Sequence, residues 1–312
     1  MRVLVPLTLG LVLAPASAEA YCLSTTRQDF VPTDEQPCDT QGKPLFWASR
    51  CVDVFVHDPA SVQVDVATAR RLLAEGFATW AAVRCPADPV ACTGALGGAP
   101  SLVAREAGST ACAAGFENTG GNSNVVAFLD KNWPHEPGAI ALTTVSFRTG
   151  TGEILDADIE VDSDPSTILL STGAPKPGHY DVESILVHES GHLLGLTHTQ
   201  PAHTEAAMRP RYDPGDISLR TLAPDDECGL CASAPPDRTA ACQPGNAATC
   251  GASTPTPEPE PPRAHHPGCS FGRTKGGTDA LALGLLLLVS RVRRGTGWAR
   301  RSPRSRYSRC SR

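Results

Sequence analysis

Hydrophobic positions in Cys51–His57 fall on every second residue, at Val52, Val54 and Val56, and Asp58-Pro59 closes the run. That alternation predicts a β-strand with one buried face. Over 64–83 the period lengthens. Ala69, Leu72, Leu73, Gly76, Phe77 and Trp80 fall at i, i+3, i+4, i+7, i+8 and i+11, the stripe of an amphipathic helix facing a core. Residues 84–122 are loop-rich, with one strand predicted at Ser101–Arg105. Asn124–Asp130 and the β-branched run Ala139–Phe147 predict two more strands. Ile154–Val161 alternates around Ile154, Asp156, Asp158 and Glu160, which predicts an edge strand. A second helix is expected from Asp181, a suitable N-cap, with Glu183 in its first turn, to about Leu194. Strands first, one helix among them and a second helix later predict an α+β or α/β domain of about 200 residues, large enough to bury a core.

The ends of the 312-residue chain follow no such pattern. Arg2, an apolar run from Val3 to Pro15 and the small residues Ala16-Ser17-Ala18 and Ala18-Glu19-Ala20 read as a secretory signal peptide over 1–20. The run is short for a membrane anchor, and Tyr21 before Cys22 argues against a lipoprotein signal. Residues 21–45 form an N-terminal extension without a clear period. Residues 46–232 form the expected folded domain, and 233–268 a Pro-rich linker centred on Thr254–Pro262. Residues 269–294 carry Cys269, the apolar Ala280–Val289 and the basic Arg291–Arg294. They read as a sorting or stop-transfer signal, the alternative being a tail with a fortuitous leucine run. A basic tail occupies 295–312.

Twelve cysteines suit an exported, oxidising location. An early group (Cys22, Cys38, Cys51), a middle group (Cys85, Cys92, Cys112) and a late group (Cys228, Cys231, Cys242, Cys250) suggest pairing within neighbouring groups, though spacing does not fix connectivity. Cys228-x-x-Cys231 reads as disulfide cysteines before it reads as half a zinc knuckle or a redox pair. Of 27 basic residues, nine arginines stand in 291–312 with no acid, so the body sets 18 basic against 33 acidic residues. Such a body offers nothing to nucleic acid.

The chemistry is concentrated in 188–198, His-Glu-Ser-Gly-His-Leu-Leu-Gly-Leu-Thr-His. On a helix, His188 and His192 share a face and can hold one Zn²⁺. Gly195 lets the backbone leave the helix through the left-handed region, so that His198 returns as a third ligand. An open fourth position marks a catalytic rather than a structural zinc site, and Glu189 stands where a general base is needed. His57, His135, His179 and His203 have no partner at ligand spacing, and His265-His266 lie in the linker.

The stretch 188–198 resembles the metzincin zinc peptidases, which also place a methionine turn beneath the metal. Met208 is the only methionine besides the initiator. Ala207-Met208-Arg209-Pro210-Arg211-Tyr212 resembles the matrixin branch, in which Pro stands two residues after Met. Astacins and serralysins usually have a tyrosine there, so Pro210 implies no fifth protein ligand. The resemblance implies that Pro210 and Tyr212 wall the main specificity pocket. Leu222–Asp226 is similar to the start of the matrixin C-terminal helix. Phe77–Trp80 is similar to the first helix, and Thr151–Ile159 to the strand before the zinc helix. Covering about 45–231, the resemblance implies a twisted, mostly parallel sheet with an antiparallel edge strand, two main helices and a zinc cleft. No animal-type cysteine switch precedes the domain: Arg84–Pro89 follows the first helix, where Cys85 is better read as a disulfide cysteine. No hemopexin-like domain fits in the remaining chain. Asp156, Asp158 and Asp162, with Glu160 and Asp164, are hard oxygen donors that can hold structural Ca²⁺ or simply form a solvated acidic edge. The C-terminal block resembles the sorting segments of myxobacterial surface proteins.

The expected function is therefore a secreted or surface-tethered zinc metalloendopeptidase, placed outside the cytoplasm of a Gram-negative bacterium. It would act as a monomer on protein or peptide substrates, with Glu189 as general base. A strand near Asp156–Val161 is expected to pair with extended substrate. The alternative is a surface binding or adhesion protein that keeps the fold with weak catalysis.

Overall fold

The computed structural model describes residues 21–33, 36–88, 92, 97–116, 121–200, 204–239, 241–242, 248 and 263–265, all within one compact unit, Met1–Gly272. The signal peptide, the sorting segment, the basic tail, His203, His266 and most of the linker lie outside the described residues. In chain order the elements are β1 (Cys22–Leu23), β2 (Phe46–Trp47), β3 (Cys51–His57), α1 (Val66–Ala81), β4 (Val103–Thr110), β5 (Asn124–Leu129), β6 (Ala141–Phe147), β7 (Glu153–Asp162), β8 (Leu170–Ser171), β9 (Tyr180–Asp181), α2 (Val182–Leu193), β10 (Leu196–Thr197), α3 (Pro224–Ser233) and β11 (Arg263–His265). No helix among the described residues is long and apolar enough to cross a membrane.

The central sheet has the order β11-β6-β7-β5-β3-β4, with β2 also on β7. The β2, β3, β4, β5 and β7 pairings are parallel, while β6 runs antiparallel to β7 and β11 antiparallel to β6. The fold is thus a mixed α/β domain with a mostly parallel sheet and an antiparallel strand toward one edge, as expected. Helix α1 buries the residues its period names, Ala69, Leu72, Leu73, Gly76, Phe77 and Trp80, and Asp65 caps it through Thr68 N–H. Gly76 faces α2, where an added Cβ would already touch Val187 at 3.5 Å. The Trp80 indole N–H donates to Val187 O at 2.8 Å and the Trp47 indole N–H to Leu193 O at 2.7 Å, so two buried tryptophans grip α2 from different elements.

Strand β7 corrects the expectation of an acidic edge strand. It lies inside the sheet between β6 and β5, and Asp156, Asp158 and Asp162 are buried. The acidic face is covered by chain from elsewhere. Asp158 accepts hydrogen bonds from Val125 N–H at 2.8 Å and Gly115 N–H at 2.6 Å. Burial pushes this carboxyl up to about 6, while the two amides pull the other way. Alternation of acids and apolar residues reports two different faces, not which of them meets water.

The disulfides meet the expectation of pairing within neighbouring groups except at Cys51–Cys242. Cys22–Cys38 is local, but Cys51–Cys242, Cys85–Cys231 and Cys92–Cys228 join the early and middle cysteines to the late ones. Cys228 and Cys231 thus staple α3 to the loop after α1 through two separate bridges, which leaves no CxxC metal or redox site. The N-terminal extension is built into the domain: β1 pairs with β10 in the loop that leads to His198.

Candidate metal centre

Helix α2 is buried from Ser184 to Leu193, including His188, Glu189 and His192. A helix buried on every side carries little amphipathic signal, and what specifies it is local. Asp181 caps it, accepting from Ser184 N–H at 2.9 Å. The helix ends one residue short of the expected Leu194, and Gly195 turns the chain with φ +99. A side chain there would be strained and would sit 3.1 Å from Ser233 Oγ and 3.3 Å from Leu45 O.

That turn brings His198 back to the helix. The ligand atoms of His188, His192 and His198 all lie within 4.8 Å of one another, the only such cluster of metal-binding side chains among the described residues. Each ring on the helix is oriented by a carbonyl: His188 Nδ1–H donates to Ala207 O at 2.6 Å and His192 Nδ1–H to Leu196 O at 3.0 Å. Those bonds fix the tautomer and turn the Nε2 lone pairs inward. Burial drives His188 down to about 3 and His192 to about 4, so both imidazoles are neutral donors at neutral pH. His192 Nε2 stands 3.3 Å from His198 Nε2. Two nitrogens bound at about 2.05 Å to one tetrahedral zinc stand about 3.3 Å apart, so the donor set fits zinc in type and spacing.

Beneath the histidines, Met208 is buried. Gly191 makes room for it: a Cβ on Gly191 would fall 2.2 Å from Met208 Sδ and 2.8 Å from Trp80 Cζ2. The turn is held by Asp226, whose carboxylate accepts from Ala207 N–H at 2.7 Å, Met208 N–H at 3.0 Å and Ala223 N–H at 2.8 Å. The neighbouring Asp225 accepts from Thr199 Oγ at 2.6 Å, one residue past His198. Sequence spacing alone does not mark Gly191, Asp226 or Thr143 as site residues. Only Asp226 left a trace, in the Leu222–Asp226 resemblance.

Glu189 is buried, and burial pushes its carboxyl up to about 7. Its Oε2 accepts a 2.6 Å hydrogen bond from the Thr143 hydroxyl of β6, while Oε1 has no hydrogen-bond partner among the described residues. A buried, unpartnered carboxylate oxygen is costly unless something else occupies its position.

Other expected residues sit as follows. Tyr212 is buried, its hydroxyl accepting from Asp181 N–H at 2.8 Å and donating to Asp181 O at 3.2 Å, and Pro210 is half-buried. Asp156, Asp158 and Asp162 do not gather into a metal site. Asp158 is engaged by backbone amides, and Asp162 accepts from Asp164 N–H and Thr167 Oγ. His57 Nδ1 bonds Cys112 O, His135 pairs with Glu160, and His179 bonds Pro177 O.

No curated protein matches the chain. A family model does: residues 129–232 match that of the matrixins. The match runs from the end of β5 to α3 and takes in Thr143, all three histidines, Met208 and Asp226, but not α1. Residues 129–232 are thus a matrixin-like segment, of a family that is in general one of zinc metallopeptidases, and its three-histidine cluster fits a zinc site.

Proposed function

We propose that the chain is an exported zinc endopeptidase in which His188, His192 and His198 hold the metal, Glu189 is the general base and Met208 floors the site. Zinc bound there would polarise the scissile carbonyl and lower the pKa of a bound water toward neutrality. The single observation that carries the reading is the split environment of Glu189. Thr143 holds Oε2, and Oε1, buried and unpartnered beside the histidines, is left to take a proton from attacking water and pass it to the leaving amine nitrogen. A carboxyl raised to about 7 can do both near neutral pH. Pro210 and Tyr212 form one wall of the substrate cleft in this reading, since their segment follows the methionine turn directly. Four disulfides whose partners are both among the described residues support an exported location.

Glu189→Gln tests the base. Peptide cleavage by the zinc-loaded variant is expected to fall by about 10²–10⁴-fold with its zinc content unchanged. Full turnover in the pure variant would end this mechanism. A wild-type protein that holds zinc but cleaves nothing in a peptide library would favour the binding-protein alternative.

A further inference from the structure

Strand β6 would be the free edge of the sheet on the side of the histidines, and it is not free. Arg263–His265, from the far side of the Pro-rich stretch, pairs with it antiparallel in the register Arg263↔Ser146, Ala264↔Val145 and His265↔Thr144. His265 therefore stands opposite the neighbour of Thr143, the residue whose hydroxyl holds Glu189. We propose that this chain's own 263–265 segment is a resident, self-blocking occupant of the outer edge of β6, which an incoming extended peptide must displace.

Three observations support a C-terminal segment directed to this place. Ala241 O accepts from Arg50 N–H, and the Cys51–Cys242 bridge fixes the chain at β3. Ala248 then packs with Cys112, Val125 and Ala127, on the face of β5 turned away from the main core. Cys112 is itself disulfide-bonded, and the three cysteines outside the described residues all stand C-terminal to Cys242 in the sequence. The described residues of this segment thus stand at β3, at β5 and at β6 in turn. Main-chain hydrogen bonds supply the affinity of such strand addition, and covering an otherwise open edge also protects it from pairing with another chain.

The competition rests on the peptidase reading; the strand pairing does not, and the experiment separates them. In the full chain, Ala264→Pro removes a backbone N–H from the segment and disfavours pairing. A second variant carries a site-specific protease sequence within 251–260, so that the segment can be cut loose after folding. Amide hydrogen exchange across β6 is expected to quicken in both, with β5 unchanged. A labelled peptide of residues 258–268 is the probe. If the segment holds the edge about nine-tenths of the time, the probe binds the intact chain about tenfold more weakly than either variant. In zinc-loaded protein the KM for library peptides falls by a like factor at constant kcat. Unchanged β6 exchange with equal probe affinity would overturn the occupancy, and a KM unmoved despite exposed β6 would overturn the competition. If no variant cleaves any peptide, the peptidase reading and the competition with it fail together, while exchange and probe binding still decide the pairing.

Discussion

At Gly191 a hydrogen atom stands where any other residue would drive a carbon into Met208 and Trp80. Sequence spacing shows a glycine inside H-E-x-x-H but not its use, because the clash is with residues 17 and 111 positions away. Gly191→Ala is expected to keep all three histidines and yet lower zinc affinity, as the methionine turn shifts. The accompanying loss of stability should be about 1–3 kcal/mol, measured by urea denaturation. Asp226 is the second such residue, because it satisfies three buried amides at once. Asp226→Ala leaves those donors without acceptors, at about 1–3 kcal/mol for each buried group. The denaturation midpoint should drop sharply, and zinc binding should weaken with the turn. His188, His192 and Glu189 were readable because helical spacing is local. Thr143, Gly191 and Asp226 were not, because their roles exist only where distant segments meet.

The N-terminus of α2 shows how one element is set in place. Arg220 donates to both Asp181 oxygens, at 2.6 and 2.9 Å, and reaches Glu183 at 2.9 Å. Tyr212 meanwhile holds the Asp181 backbone. Capping by Asp181 and the acid in the first turn were legible from composition. The arginine that neutralises them, 39 residues later, was not. Arg220→Met strands the buried Asp181 carboxylate, and a destabilisation of about 3 kcal/mol is expected by chemical denaturation. The companion Asp181→Asn should cost less, since Asn still caps. Strand β7 shows the opposite: its pattern marks a strand, but Asp158 is sealed by Val125 and Gly115 amides that no periodicity reveals.

Across the molecule, order and type of elements were largely legible, whereas sheet position and cysteine pairing were not. Both of those are set by which distant segments meet, and loop length does little to favour one closure over another. The three long bridges enclose 191, 146 and 136 residues of sequence separation. In the chain-entropy account, a single loop of this size restrains the unfolded state by about 5 kcal/mol. The paired change Cys92→Ser with Cys228→Ser is therefore expected to lower the denaturation midpoint substantially, yet leave the Cys85–Cys231 staple on α3. Chelation, by contrast, should abolish turnover while far-UV circular dichroism stays near native. Core and bridges do not depend on the metal, and zinc adds only its own binding free energy.

The long bridges also have a meaning in time. A ribosome delivers a chain N-terminal side first, and α2 lies between the partners of each of these three long bridges. Cys51 must wait for Cys242, and Cys85 for Cys231, with the histidines already made but not yet clamped from both sides. Covalent closure around the three histidines thus comes last in synthesis, and under reducing conditions it does not come at all. The long bridges can close only where the whole domain meets an oxidising space.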